Sequence, residues 1–170
     1  TDQTRIDKIL PVIKFLLKKK SKILVISHVG RPKGSVQKDL SLRPICENLE
    51  EKINQKIILI EEDIFKLKRE DLFREPGDQI IFLENIRFYK EEEKNDPNFS
   101  KHLAKLADIF VNDAFSCSHR EHASVCKIAE LLPSFAGIQF ETELNALKKI
   151  TSEILAPITC IIGGSKISTK

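Results

Sequence analysis

Four short runs constrain this chain most: ILVIS (23–27), IILIE (57–61), IIFLE (80–84) and IFVN (109–112). Each is rich in β-branched residues and almost wholly apolar before its last position. A strand with one wet face alternates apolar and polar residues, whereas a strand covered on both faces does not. The runs therefore predict strands buried on both sides in a parallel sheet. A fifth run, ITCII (158–162), comes late. Helical patterns fall between the runs. Ile6, Ile9, Leu10, Ile13, Leu16 and Leu17 form one apolar stripe. Lysines 18, 19 and 20 complement the dipole at its end, and Pro11 inside it predicts a kink or a late start. Segments 42–53, 99–106, 124–132 and 140–155 are the other helix candidates. Alternating strands and helices imply right-handed crossovers. The expected fold is α/β: a parallel sheet with helices on both faces, a Rossmann-like three-layer sandwich. The last helix is amphipathic through Leu144, Leu147, Ile150, Ile154 and Leu155, and is placed to link two domains. The charged stretch KEEEKNDP (90–97) reads as a solvated loop.

The 170 residues allow one domain with a sizeable core, or one domain and a piece of another. Hydrophobic residues at 41% and charged residues at 31% suit a soluble globular chain. The 28 basic and 25 acidic residues leave a net charge of +3, too even to argue for nucleic acid. The lysines of 18–22 lack interleaved aromatics, and Tyr89 is the one tyrosine. No apolar run approaches the roughly 20 residues of a membrane helix, and TDQTRIDKIL lacks the layout of a signal peptide. Four scattered cysteines (46, 117, 126, 160) suit reduced thiols, so a cytoplasmic location is expected. Cys117, His119, His122 and Cys126 do not have the spacing of zinc ribbons or fingers, and no metal site is expected. Cys46 and Cys160 read as core, and His102 as an exposed helical residue. Glu91–Glu93 reads as a loop acid run that nothing nearby desolvates. Methionine is absent, and the Gly163-Gly164 turn leads into no helix, so the chain is expected to be cut at both ends.

Ligands of open parallel sheets bind at the carboxyl ends of the strands. The run 23–27 is followed by His28, Gly30 and Arg31, and the run 80–84 by Asn85 and Arg87. The run 109–112 leads to Asp113, His119, Arg120 and His122. The run 57–61 delivers only acids. Arginine presents a planar fork of donors matched to carboxylate and phosphate. Singly these are ordinary loop arginines; together on one sheet edge they favour a pocket for a small, multiply charged anion. Composition and spacing leave its identity open.

Three segments carry a resemblance that narrows it. SHVGRPKG (27–34), LENIRFYKEEE (83–93) and VNDAFSCSHREHAS (111–124) resemble, in order and spacing, loops of the phosphoglycerate kinase family. Arg5 resembles the arginine that opens that family's first helix, and IIGGSKISTK (161–170) its GGxKxxxK turn. The resemblance implies reversible phosphoryl transfer from 1,3-bisphosphoglycerate to ADP, giving 3-phosphoglycerate and ATP in glycolysis and gluconeogenesis, with Mg2+ accompanying the nucleotide. Arg5, His28, Arg31, Arg87 and Arg120 would meet the triose phosphate and carboxylate, and Val29 and Gly30 would present backbone to it. Gly163, Gly164, Lys166 and Lys170 would meet the nucleotide, with Arg5 and Lys166 assisting transfer. Residues 1–138 would form the triose domain without its first strand, 139–156 the linking helix, and 157–170 the start of a nucleotide-binding domain. A monomer that binds triose phosphate only, without nucleic acid or membrane partners, is expected of this chain. The alternatives are a non-catalytic anion-binding module and a nucleic-acid-binding domain. A chain that cannot fold, because a missing central strand leaves sheet edges open, is a further possibility.

Overall fold

The computed structural model describes residues 4–152, together with Pro157 and Thr159. Three of the expected runs form one parallel sheet: β1 (Ile23–Val25), β2 (Ile57–Ile60) and β3 (Ile80–Leu83), in the order β1-β3-β2. Ile23 and Ile57 both lie opposite Ile80, so the strands start level. The fourth run, β4 (Phe110–Asn112), pairs in parallel with β5 (Ser134–Ala136) in a second sheet of two strands. Among the described residues, β1 therefore has a neighbour on one side only, and so has β4.

All four residues of β3 are buried, which is why its sequence shows no alternation. Ile80 and Phe82 face one core with Ile13, Leu42, Cys46 and Leu49. Ile81 and Leu83 face the other, with Phe99, Leu103, Ala123 and Ile128. The helices on the first side are α1 (Thr4–Lys18) and α2 (Arg43–Ile53). On the second side lie α3 (Lys90–Glu93), α4 (Pro97–Ala104) and α5 (Ile128–Leu131), the last entered through a π-helical turn at Ala123–Lys127. The expected three layers are present. Each fully buried aliphatic side chain contributes about 1.5–3 kcal/mol, so β3 is the strand the domain can least lose.

Several elements differ from the sequence expectations. Helix α1 runs from Thr4 without a late start at Pro11. Ile6, Ile9 and Leu10 before the proline and Leu16 and Leu17 after it pack on the same core, which outweighs the lost backbone bond. The stretch 90–97 is not a loop. Its first four residues are α3, and Asp96 caps α4, accepting the N–H groups of Asn98 at 2.9 Å and Phe99 at 2.8 Å. Pro97 takes the first helical position, where its missing N–H costs nothing. His102 is half-buried against the Phe65 ring rather than exposed. Strand β5 was not expected, because its SFA residues are all exposed and form no apolar run. The last helix, α6 (Ile138–Thr151), starts two residues early, where Asp113 accepts the N–H groups of Gln139 and Phe140. The expected end of that helix at Leu155 and the run 158–162, apart from Thr159, lie outside the described residues. Among the described residues no helix is long and apolar enough to cross a membrane.

Candidate functional site

Strands β1, β3 and β4 release the chain into loops at their carboxyl ends, and one buried side chain fastens the first two loops together. Asn85 is fully buried and donates through Nδ2 to Val29 O at 2.8 Å and to Leu40 O at 2.9 Å. Its Oδ1 accepts the Arg87 N–H. Ser27 O accepts the Ile86 N–H, and Arg87 O accepts that of Gly34. The neighbouring Glu84 carboxylate accepts Ser41 Oγ–H at 2.6 Å and the N–H groups of Leu42 and Asn85, holding the start of α2 to the end of β3.

Two glycines make this close approach possible. Gly30 has φ +66 and Gly34 φ +76, both in the left-handed region. A Cβ at Gly34 would lie 2.7 Å from Lys90 Cβ and 3.0 Å from its backbone, so the loop could not close on α3. The carbonyls of Val29 and Gly30 face inward and accept hydrogen bonds from Asn85 Nδ2 and Arg87 Nη1. Their N–H groups have no acceptor among the described residues.

Arg87 is the centre of the site. Its side chain is 4% exposed, and Nη1 donates to Gly30 O at 3.2 Å. Among the described residues Nε and Nη2 are buried without a hydrogen-bond partner, and Glu93 stands 3.8 Å from Nε, too far to satisfy it. Buried donors are almost always paired, so an unpaired guanidinium edge at a loop junction points to an absent acceptor. Burial and then Arg120 pull the Arg87 pKa down. His28 is held down to about 4, first by burial and then by Arg87, Arg120, His122 and Arg5. Burial, followed by Arg87, also lowers His122. Mutual repulsion of this kind requires proximity. Arg5, His28, Arg87, Arg120 and His122 thus share one cationic site, fed by α1 and by the loops after β1, β3 and β4. Such a site can neutralise a small anion with several oxygens and can aim donors at it.

Other expected residues stand apart. Arg31 is exposed on the same loop as His28, and no hydrogen bond or ion pair fixes it among the described residues. Gly163, Gly164, Lys166 and Lys170 lie outside the described residues. The reading of Glu91–Glu93 as a solvated acid run is wrong for its middle member. Glu92 is 2% exposed, and burial pushes its carboxyl up. Its oxygens accept the Ser124 N–H at 2.9 Å and Oγ–H at 2.6 Å, joining α3 to the loop that carries Arg120 and His122. No local pattern marked it: Tyr89 is extended between the turn at Ile86–Phe88 and α3, so no continuous helix carries the apolar stripe on to Glu92. Asn85 was visible as the residue that follows the run 80–84, but its role as a clamp was not.

A family model for phosphoglycerate kinase matches residues 1–170. The phosphoglycerate kinase of Wolbachia pipientis wMel is 52% identical over 99% of this chain, and that of Orientia tsutsugamushi (strain Ikeda) 44% identical over 100%. The chain spans 42% of the length of each of these relatives. The structure of phosphoglycerate kinase from Coxiella burnetii superposes with a TM-score of 0.85 at 34% identity, covering 99% of this chain and 42% of that one. The enzyme from Pyrococcus horikoshii OT3 gives 0.78 at 30% identity, covering 91% and 39%. With three motif loops meeting at one cationic edge and a family match along its whole length, the chain belongs to the phosphoglycerate kinase family.

Proposed function

We infer that this chain is the triose-binding part of an enzyme that transfers a phosphoryl group reversibly between 1,3-bisphosphoglycerate and ADP, giving 3-phosphoglycerate and ATP. The observation that carries this reading is the buried Arg87 guanidinium, two of whose nitrogens lack a partner where the motif loops meet. Arg87, Arg120, Arg31 and His28 would bind the phosphate and carboxylate of the triose, helped by the N–H groups of Val29 and Gly30. Arg5, at the start of α1, would face the transferring group. The reaction needs no covalent enzyme intermediate. It needs in-line positioning and cations around a loosely bonded phosphoryl group.

Residues 1–138 would then form the triose domain, 139–156 the link, and 157–170 the opening of the nucleotide lobe. Gly163, Gly164, Lys166 and Lys170 would meet the nucleotide, with Lys166 following the phosphoryl group. Magnesium would arrive with ATP or ADP and neutralise their phosphates. Among the described residues no group of three or more His, Cys, Asp or Glu side chains could hold an ion.

The test is a coupled assay of the full-length protein with ATP and 3-phosphoglycerate. Turnover is expected, and Lys166→Ala should lower kcat far more than triose affinity. Triose binding without turnover would replace the enzyme by a non-catalytic anion-binding module.

A further inference from the structure

The two arginines at the heart of the site sit on different segments, and a single buried carboxylate ties those segments together. Glu92 lies five residues after Arg87, on α3. Both of its oxygens are spent on Ser124, two residues beyond His122 and four beyond Arg120. Its Oε1 is also 3.6 Å from His122 Nδ1. Burial and the nearby arginines lower the His122 pKa, which weakens this contact as an ion pair. A second strut runs parallel to it: Asn95 Oδ1 accepts the Lys127 N–H at 3.3 Å, and Asn95 N–H donates to Glu92 O at 3.2 Å.

Among the described residues no lysine or arginine makes a hydrogen bond with the Glu92 carboxylate, which is unusual for a side chain only 2% exposed. A buried carboxylate without such a partner is costly, and a loop can be fastened by neutral groups at lower cost. A carboxylate brings two things that a neutral side chain lacks. It accepts both Ser124 donors at once, and it sets a negative charge behind arginines that repel each other. The charged and titratable groups that act on it are Arg87 and Glu93 on its own segment and His122 on the facing loop, which in turn feels Arg120 and His119.

We propose that Glu92 is a positioning residue. Through Ser124 it holds the Arg120–His122 loop at the distance from Arg87 that one triose anion spans. This rests on the reading of the site as the triose pocket. It is tested in the full-length protein with 3-phosphoglycerate as the probe, using Glu92→Gln, Ser124→Ala and the double variant. Glu91→Gln is the control, since its side chain makes no hydrogen bond or ion pair among the described residues.

Glu92→Gln should weaken 3-phosphoglycerate binding about 10-fold or more, the loss expected of one charge-assisted contact. The KM for ATP should stay unchanged. Ser124→Ala should act in the same direction but less, and the double variant should be no worse than Glu92→Gln. A merely structural role would instead lower stability and damage both substrates' parameters together, and that pattern overturns the proposal. Should Glu92→Gln fail to fold, Ser124→Ala decides: unchanged triose affinity overturns the proposal, and a selective loss upholds it. A wild-type protein that does not bind 3-phosphoglycerate overturns the pocket reading and this proposal together. Wild-type binding that Glu92→Gln retains overturns the proposal alone.

Discussion

Replacing Arg87 by methionine should leave the empty chain as stable as before, or more so, while removing its response to the triose anion. The guanidinium is 4% exposed but makes one hydrogen bond, to Gly30 O, and leaves Nε and Nη2 without partners. A charge-assisted hydrogen bond contributes about 1.5–3 kcal/mol, and each buried donor left unmet costs about 1–3 kcal/mol. The two unmet donors therefore offset the one bond or exceed it. Methionine keeps the aliphatic stem and its packing, and Gly30, being exposed, can give its carbonyl to water. The midpoints of these ranges put the net change without ligand at about 2 kcal/mol in favour of the variant. The assay is urea denaturation followed by circular dichroism, with and without 3-phosphoglycerate. At a hundred times Kd the wild-type chain should gain about 2.7 kcal/mol from ligand, and the variant should gain almost none. A variant that loses more than about 2 kcal/mol without ligand would make Arg87 a structural residue, against the unmet-donor argument. A variant that keeps the ligand-induced gain would remove Arg87 from the pocket.

Two further outcomes follow from the same geometry. His28 is held down to about 4 from its ordinary 6.5, so as pH falls below 6.5 the unfolded chain takes its proton first. Stability should be full above that value and decline towards pH 4, where the folded imidazole titrates too. Bound anion opposes the arginine charges and should raise the His28 pKa, so binding should take up protons and tighten as pH falls from 6.5. Calorimetry in two buffers of different ionisation enthalpy, or NMR titration of His28 with and without 3-phosphoglycerate, reads this directly. A downward shift on binding would contradict it. Gly34→Ala forces a Cβ into the left-handed region and against Lys90. It should destabilise the chain by about 1–3 kcal/mol, and an unchanged denaturation midpoint would count against the close packing of loop on α3.

The runs that became β1, β2 and β3 were legible because they hold no polar position, Ile80 to Leu83 above all, where all four residues are buried. Strand β4 showed itself through Phe110 and Val111, although it is only half-buried. Strand β5 was not, because Ser134, Phe135 and Ala136 are all exposed and a strand of this kind has no compositional mark. The arginines and His28 could be assigned to one edge from strand order, since parallel strands bring their ends together. How deeply each sits could not. Arg87 is buried and Arg31 exposed, yet each is one arginine in a loop after a strand. The sharpest misreading was 90–97, where seven polar residues and a proline suggested water on every side. Three of them do structural work instead: Glu92 with Ser124, Asn95 with Lys127 N–H, and Asp96 at the start of α4. Each of those partners is set by the way the chain returns, which no local pattern encodes.

Calorimetric titration of the chain with 3-phosphoglycerate, alongside Arg31→Ala and Arg120→Ala, tests the central claim most directly. Saturable binding at one site is expected, weakened by about 1.5–3 kcal/mol in each variant. A folded chain that does not bind, or binding that both variants retain in full, would contradict it.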